Sequence, residues 1–487
     1  MPGAVIAIDA GTTGVRAFAV DETGAPLDYA YREFPQYFPE PGWVEHDASE
    51  IWDAVQATLS ELRSKLQQPI ATIGITDQRE TTVVWDKRTG KPRHRAIVWQ
   101  DRRTADRCRE LQDAGHLPLV REKTGLVLDP YFSATKLEWL LTEGGVEADD
   151  DLAFGTVDSW VLWNLTGVHA TEPSNASRTM LYDIRAMAWS EELCELFGVP
   201  LSCLPVVQPS SGRFAVTADG IPVSGVAGDQ QAALFGQACF QPGDAKNTYG
   251  TGSFVLMNVG PACPDPVEGL LTTVAWDLQD GTSAYALEGA IFITGAAVQW
   301  LRDGLDIIDD ASQIEPLART VPDTEGVYVV PAFTGLGSPY WDPYARGTIV
   351  GLTRGVGRGH LARAVLESMA YQTRDVIDAM KEVAGRELSG LRVDGGASAN
   401  DLLLQLQADQ LQAPVVRSAV QETTALGAAY LAGLAEGVWS STDEVAHHWR
   451  AAGEFTSGVP AAVADARHAG WGRAVERARG WAQSPRS

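Results

Sequence analysis

An apolar run, Val5-Ile-Ala-Ile8, is followed after Asp9-Ala-Gly-Thr-Thr-Gly14 by a second, Val15-Arg-Ala-Phe-Ala-Val20. Two β-rich runs around a glycine turn predict strand, tight turn, strand. The pattern returns at mid-chain, where Tyr249-Gly-Thr-Gly-Ser253 separates Asn247-Thr248 from Phe254-Val-Leu-Met-Asn258. A third glycine turn, Asp394-Gly-Gly-Ala-Ser398, follows later. Asp47 precedes a helical stripe of Ile51, Val55, Leu59, Leu62 and Leu66, with Glu50 placed to close a capping box. Ile70–Ile75 reads as a buried strand. Thr82–Trp85 and Ala96–Trp99 read as arms of a hairpin turning over Asp86–Lys91. Helices are predicted at Ala134–Leu141 and Trp160–Leu165. The stretch Leu204–Gly225, with Pro205, Pro209 and Pro222, reads as the approach to a domain boundary. Beyond it the spacing predicts helices over Ile291–Leu301, His360–Val383, Asn400–Leu411 and Thr424–Gly437, and a surface helix from Ala461 to about Gln483. Leu361, Val365, Met369, Val376 and Met380 give the second of these a core-facing stripe.

At 487 residues the chain exceeds one core and predicts two domains or three. Its 45% hydrophobic and 21% charged content predicts a globular protein rather than a disordered one. No run of about 20 apolar residues predicts a membrane span, and no basic n-region predicts a signal peptide. The cysteines, Cys108, Cys194, Cys203, Cys239 and Cys263, are scattered, with no CxxC pair. They predict a reducing, cytoplasmic setting without disulfides or a zinc site. A net charge of −25 disfavours nucleic acid and anionic membrane surfaces as partners and favours solubility. It leaves a phosphorylated ligand open, because a local Arg or Mg²⁺ reverses the field inside a cleft.

Glycines let the backbone approach an anion, and threonine hydroxyls and free N–H groups donate to it. Two such hairpins predict two lobes closing on one nucleotide, although each alone reads as an ordinary turn. Asp229, in the Gly-Asp-Gln-Gln loop, reads as a general base or as a helix cap. The Arg79-Glu80 pair alone reads as a surface ion pair, Trp99 and Phe254 as core, Gly295 as a helix-packing glycine and Asn400 as a helix cap. Neighbours on a strand face opposite sides, so Arg79 and Glu80 share a pocket only where the strand ends or bends.

Together these motifs resemble the FGGY carbohydrate kinases, within the actin–hexokinase fold superfamily, from about Val5 to Trp439. Gly74-Ile-Thr-Asp-Gln-Arg-Glu-Thr-Thr82 resembles that family's substrate strand, and Gly228-Asp-Gln-Gln-Ala-Ala233 its catalytic loop. Asp129-Pro-Tyr-Phe-Ser-Ala-Thr-Lys136, continuing to Leu140, resembles one family signature. Gly347–Leu352 with His360–Glu367 resembles the other. The Gln-Arg-Glu-Thr and Pro-Tyr-Phe-Ser stretches single out the branch that phosphorylates glycerol. The resemblance implies an α/β fold of two actin/ribonuclease H-like domains with an inter-domain cleft. Residues 1–237 would carry the substrate site, the first phosphate turn and the catalytic Asp. Residues 238–487 would carry the second phosphate turn and the adenosine site.

The implied activity is ATP:glycerol 3-phosphotransferase, using ATP and Mg²⁺, in a homo-oligomer. By the same resemblance Asp229 is the base, and Arg79, Glu80, Tyr131, Asp229 and Gln230 satisfy the glycerol hydroxyls between walls of Trp99 and Phe254. Thr12, Thr13, Gly14, Arg16 and Thr251 match phosphate contacts, and Gly295, Gln299, Gly396 and Asn400 match adenosine and phosphate contacts. Asp9, with Asp229, would hold Mg²⁺ through water. Gly14 stands where the family often has Ser, and Asp77 where Asn is usual, adding a charge near the sugar site. Pro209–Gly225 lacks the glycine-rich basic loop with which some bacterial members bind fructose bisphosphate, which implies weak or absent inhibition by it. Two other readings stay open. A kinase for another polyol or ketose would usually replace the Gln-Arg-Glu strand. A non-catalytic, nucleotide-switched binding protein would need neither Asp229 nor the pocket set.

Overall fold

Two sheets repeat one strand plan in the computed structural model, which describes residues 3–483. The first contains β1 (Ala4–Ala10), β2 (Gly14–Val20), β3 (Pro26–Glu33), β4 (Ile70–Asp77), β5 (Ser211–Val216) and β6 (Pro222–Gly228), in the order β5-β6-β4-β1-β2-β3. The second contains β7 (Asp244–Tyr249), β8 (Ser253–Gly260), β9 (Leu271–Asp277), β10 (Ser283–Ile291), β11 (Gly390–Asp394), β12 (Val415–Ser418) and β13 (Ala451–Phe455), in the order β9-β10-β8-β7-β11-β12-β13. In each, the opening strand folds back antiparallel through a glycine turn. On its other side lie two parallel strands, β4 and β6 or β11 and β12.

Parallel neighbours need crossovers. Helix α1 (Ala48–Lys65) supplies the one from β3 to β4. Asp47 caps it by accepting the Ser49 N–H at 2.9 Å, and Ile51, Val55 and Leu62 are fully buried. Glu50 closes no capping box; its carboxylate accepts the Tyr37 hydroxyl at 2.9 Å instead. The later helices that matter here are α2 (Asp229–Gly236), α3 (Gly295–Asp303), α4 (Arg358–Ala384), α5 (Asp401–Leu411) and α6 (Thr423–Ala435). The stripe of α4 packs inward, with Val365, Met369, Val376 and Met380 buried. The terminal helix spans Ala461–Ala478.

Further expectations change. The turn over Asp86–Lys91 forms, with Gly90 at φ +67°, but its arms take other partners. Val83–Asp86 pairs with Leu152–Gly155, and Ala96–Ile97 with Glu45–His46. The hairpin survives only as isolated bridges such as Thr82 with Ile97. Residues Leu204–Gly225, read as the approach to a domain boundary, carry β5 and the start of β6, which complete the first sheet. The helix expected from Ile291 starts at Gly295, since Ile291 still pairs with Ser253 at the end of β10.

The lobes meet where α2 crosses α6. A Cβ on Gly427 would overlap the Ala232 carbonyl oxygen, and one on Gly236 the Thr423 carbonyl. Gly74 and Gly225 likewise bring β4 and β6 against the backbone of α6. Among the described residues every cysteine is free, and no helix is long and apolar enough to cross a membrane.

Candidate active site

Strand β4 ends at Asp77, and Glu80 takes a left-handed conformation at φ +62°. The strand alternation therefore no longer holds at Arg79 and Glu80, and both line one cavity. Its other walls are Thr12, Trp99, Tyr131, Asp229, Gln230 and Phe254. Its volume is about 40 Å³. One water needs roughly 10–15 Å³ on this measure, so only a very small ligand fits.

Arg79 is the hub. Its two terminal nitrogens reach Glu288 at 2.5 and 3.1 Å, and its Nε lies 3.1 Å from Asp229 Oδ1. The bare backbone of Gly228 makes room for it, since a Cβ there would stand 2.6 Å from Arg79 Cγ. Arg178 donates to Glu80 at 2.6 Å and to Glu288 at 3.0 Å. These four side chains are almost wholly buried, a placement that charges tolerate only when paired. Burial alone would raise Glu288, but Arg178 and Arg79 together bring it down to about 2. At Glu80 burial prevails over the same two arginines and raises the carboxyl. Burial also raises Tyr131, which keeps its hydroxyl a donor.

Asp229 is the first residue of α2, where the helix dipole favours a negative charge. Its Oδ1 accepts the Gln230 N–H at 2.7 Å, so it serves the helix end while also facing the cavity. Gln230 is fixed from the second lobe by Lys246 Nζ, which also reaches Thr248 Oγ1 at 3.0 Å. Burial lowers Lys246 to about 8 although Asp394 and Asp229 oppose it.

Beside the cavity lies the first glycine turn. Thr12 Oγ1 accepts the Trp99 indole N–H at 3.0 Å, and Thr13 is exposed. Gly14 has no space for a serine side chain, because a Cβ would meet the Arg32 carbonyl at 2.5 Å and the Tyr31 hydroxyl at 2.6 Å. Arg16 is paired with Glu422 of the other lobe, just before α6. At the second turn the carbonyl of Gly250 accepts the Gly295 N–H at 3.1 Å, while Thr251 stays exposed. Gln299 is exposed on α3, Gly396 borders open space, and Asn400 caps α5 by accepting the Leu403 N–H at 2.8 Å.

The backbone of Asp9 pairs within the sheet, while its carboxylate accepts no hydrogen bond among the described residues. Burial raises it to about 7, with Arg16 opposing and Asp229 reinforcing. Two carboxylates without a histidine or thiol suit a hydrated hard cation such as Mg²⁺. No cluster of three or more His, Cys, Asp or Glu side chains forms a cage among the described residues. Asp77 lies outside the cavity lining, and burial, with Asp158 and Asp229 reinforcing, raises its carboxyl. Its carboxylate accepts Asn175 Nδ2 at 2.9 Å and the Asp158 N–H at 3.2 Å, inside the first lobe.

Arg178, Glu288 and Lys246 escaped the sequence reading. Glu288 had one signal, a lone charge in the apolar strand Ala284-Tyr-Ala-Leu-Glu-Gly-Ala-Ile291.

The profile described as "FGGY family of carbohydrate kinases, N-terminal domain" matches residues 4–236, and that of the C-terminal domain matches residues 245–436. The chain is 57% identical to a glycerol kinase of Symbiobacterium thermophilum over 495 residues, covering 99% of each. It is 54% identical to one of Carboxydothermus hydrogenoformans over 492 residues, covering 98% of each. The crystal structure of Plasmodium falciparum glycerol kinase with ADP superposes with a TM-score of 0.93 at 34% identity, covering 98% of both chains.

Proposed function

This chain belongs to the FGGY family of carbohydrate kinases, and from that premise we propose that it transfers the γ-phosphoryl group of ATP to glycerol, giving sn-glycerol 3-phosphate and ADP. The observation that carries this reading is the 40 Å³ cavity, whose lining offers a partner to each hydroxyl of a three-carbon polyol. Glu80 and Asp229 accept, Arg79 and Tyr131 donate, and Gln230 can do either. Trp99 and Phe254 cover the carbons. A site built this way rejects analogues that would leave a buried polar group unpaired.

In the reaction Asp229 takes the proton of the attacking hydroxyl as its oxygen bonds to the γ-phosphorus. The bond from that phosphorus to the β–γ bridging oxygen breaks, and ADP leaves with the electron pair. Phosphoryl transfer asks mainly for positioning and charge stabilisation. Thr12, Thr13, Gly14, Arg16 and Thr251 stand where they can receive the phosphates. Gly295, Gln299, Gly396 and Asn400 would contact the adenosine and phosphates; Gly295 is buttressed by Gly250, and Asn400 already serves as a cap. Arg16 reaches a phosphate by exchanging its Glu422 partner. Asp9 and Asp229 would hold Mg²⁺, which when bound offsets charge on the β- and γ-phosphates. The division into a substrate-binding lobe, 1–237, and a second lobe, 238–487, is supported by the repeated sheets. A reducing compartment accords with the free thiols.

A coupled ADP-release assay across a panel of polyols and ketoses tests the reading, and glycerol should give the highest kcat/KM. Asp229→Ala should still bind ATP but lose about 10²–10⁴-fold in kcat, the range for removing a positioned base. Turnover within tenfold of the parent would strip Asp229 of that role.

A further inference from the structure

A second cavity, of about 370 Å³, lies behind the cleft and takes no part in the proposed reaction. That volume falls within the roughly 300–1,000 Å³ of small-molecule sites. Both lobes wall it. The β2–β3 turn, Thr23–Pro26, comes from the first, and Ser418–Val420, one face of α6 and His448–Arg450 come from the second. Strand β2 runs from Gly14 to Val20, which puts this turn about 20 Å from the first phosphate turn.

The floor is apolar and aromatic: Val420, Leu426, Tyr430 and Trp449. Tyr430 is 1% exposed, yet its hydroxyl makes no hydrogen bond with any described residue. Trp449, by contrast, donates its indole N–H to Gln237 at 3.2 Å. The rim is cationic. Arg450 spends one terminal nitrogen on backbone carbonyls, that of Trp449 among them at 2.9 Å. Its Nε and Nη2 have no partner among the described residues, and His448 lies beside it on the rim. The nearby acid, Asp21, is already engaged by the Thr23 N–H and hydroxyl and the Ala25 N–H. A positive rim over an aromatic floor is unusual on a chain of net charge −25.

We propose that this inter-lobe cavity is a second ligand site, for a small planar aromatic anion. The ring lies against Tyr430 and Trp449, where offset or edge contacts are favourable. The acid group takes charge-assisted hydrogen bonds from Arg450 and one from the Tyr430 hydroxyl. Because the walls belong to both lobes, the ligand favours the lobe arrangement that brings them together. Helix α6 links the two sites, with Tyr430 on its body and Glu422, the partner of Arg16, at its start.

Isothermal titration of the full chain with 2-naphthoate tests this without any measure of turnover, so its outcome is independent of the proposed kinase activity. The expected result is one saturable site per chain, which saturating ADP and glycerol shift in affinity but do not displace. Arg450→Glu should weaken it at least tenfold, and Tyr430→Phe severalfold. The uncharged 2-naphthalenemethanol should bind at least tenfold more weakly than the acid. Val420→Trp, which fills the cavity, should abolish binding; Arg450 is exposed, so its variant keeps the test valid if that one fails to fold. Absence of binding at millimolar ligand, displacement by ADP, or unchanged affinity in Arg450→Glu would each overturn the proposal.

Discussion

At the first glycine turn much of the support comes from side chains. Trp99 donates to Thr12, Gln78 donates to the Gly11 carbonyl at 3.1 Å, and Tyr31 lies under Gly14. At the second, the support is mainly backbone on backbone, with the Thr294 hydroxyl adding a bond to the Gly250 carbonyl at 3.2 Å. The carbonyl of Thr251 accepts the N–H groups of Thr294 and Ala296 at 2.9 and 3.0 Å, and a Cβ on Gly295 would stand 2.5 Å from the Gly250 carbonyl. Similar sequences thus make two different machines. Both turns bar an added Cβ against main-chain atoms, at Gly14 beside the Arg32 carbonyl and at Gly295 beside the Gly250 carbonyl, but the first also leans on side chains from distant segments whereas the second leans mainly on one neighbouring stretch of backbone. The same asymmetry runs through the site, where the first lobe supplies most of the charged groups and the second contributes Glu288 and Lys246 from its strands.

The severest test of that asymmetry is Glu288, a second-lobe carboxylate serving first-lobe arginines. Glu288→Gln leaves Arg79 and Arg178 buried with less opposing charge, a loss of about 3–5 kcal/mol for a broken buried pair. Denaturant melts should show it, together with a raised KM for glycerol. An unchanged midpoint would mean that the arginines are held without the second lobe. Gly295→Ala should come next. The buttress cannot yield, so nucleotide affinity, measured by titration with ADP, should fall at least tenfold while glycerol binding persists. Trp99→Phe probes the opposite kind of support. It removes one hydrogen bond of about 0.5–1.5 kcal/mol, and a threefold to tenfold loss in kcat/KM is expected. If Trp99→Phe proves more damaging than Gly295→Ala, the contrast between the turns is wrong.

The smallest effect concerns His46, which stands behind Gln78 with its Nδ1 3.3 Å from Nε2. Burial lowers His46 to about 4, so the folded ring stays neutral where the unfolded one, near 6.5, takes a proton. The unfolded state then binds more protons between these values, and stability falls as pH drops from about 6.5 toward 4. His46→Asn should flatten that part of the melting-temperature profile. A variant profile parallel to the parent's would locate the acid sensitivity elsewhere.

Local pattern was enough for the elements that depend on local chemistry. The glycine turns lie between paired strands, Asp47 caps α1, and the apolar stripe of α4 faces inward. Arg79, Glu80, Trp99, Tyr131, Asp229, Gln230 and Phe254, spread along the chain, line one cavity. What escaped depends on encounters between distant segments. Arg79, Arg178 and Glu288 form one cluster from positions about a hundred residues apart, and neither Arg178 nor its neighbours carry a spacing that announces it. The arms at Thr82–Trp85 and Ala96–Trp99 still exchange backbone hydrogen bonds at Thr82 and Ile97, but their ladders are made with Leu152–Gly155 and Glu45–His46, segments the local pattern does not announce. Asp77 shows the limit of side-chain type as a guide, since its direction was set by Asn175 and Asp158.

The crossing of α2 and α6 has a practical consequence for anyone surveying inactivating variants. Gly74, Gly225, Gly236 and Gly427 are absent from the cavity lining, yet none can gain even a methyl group without displacing main-chain atoms of the opposing element. In a genetic screen scored by growth they would rank with the reacting residues and draw a false outline of the catalytic centre. Scoring protein abundance alongside growth separates the two sets, because replacements at the crossing deplete the protein itself while those at Asp229 leave it present and idle.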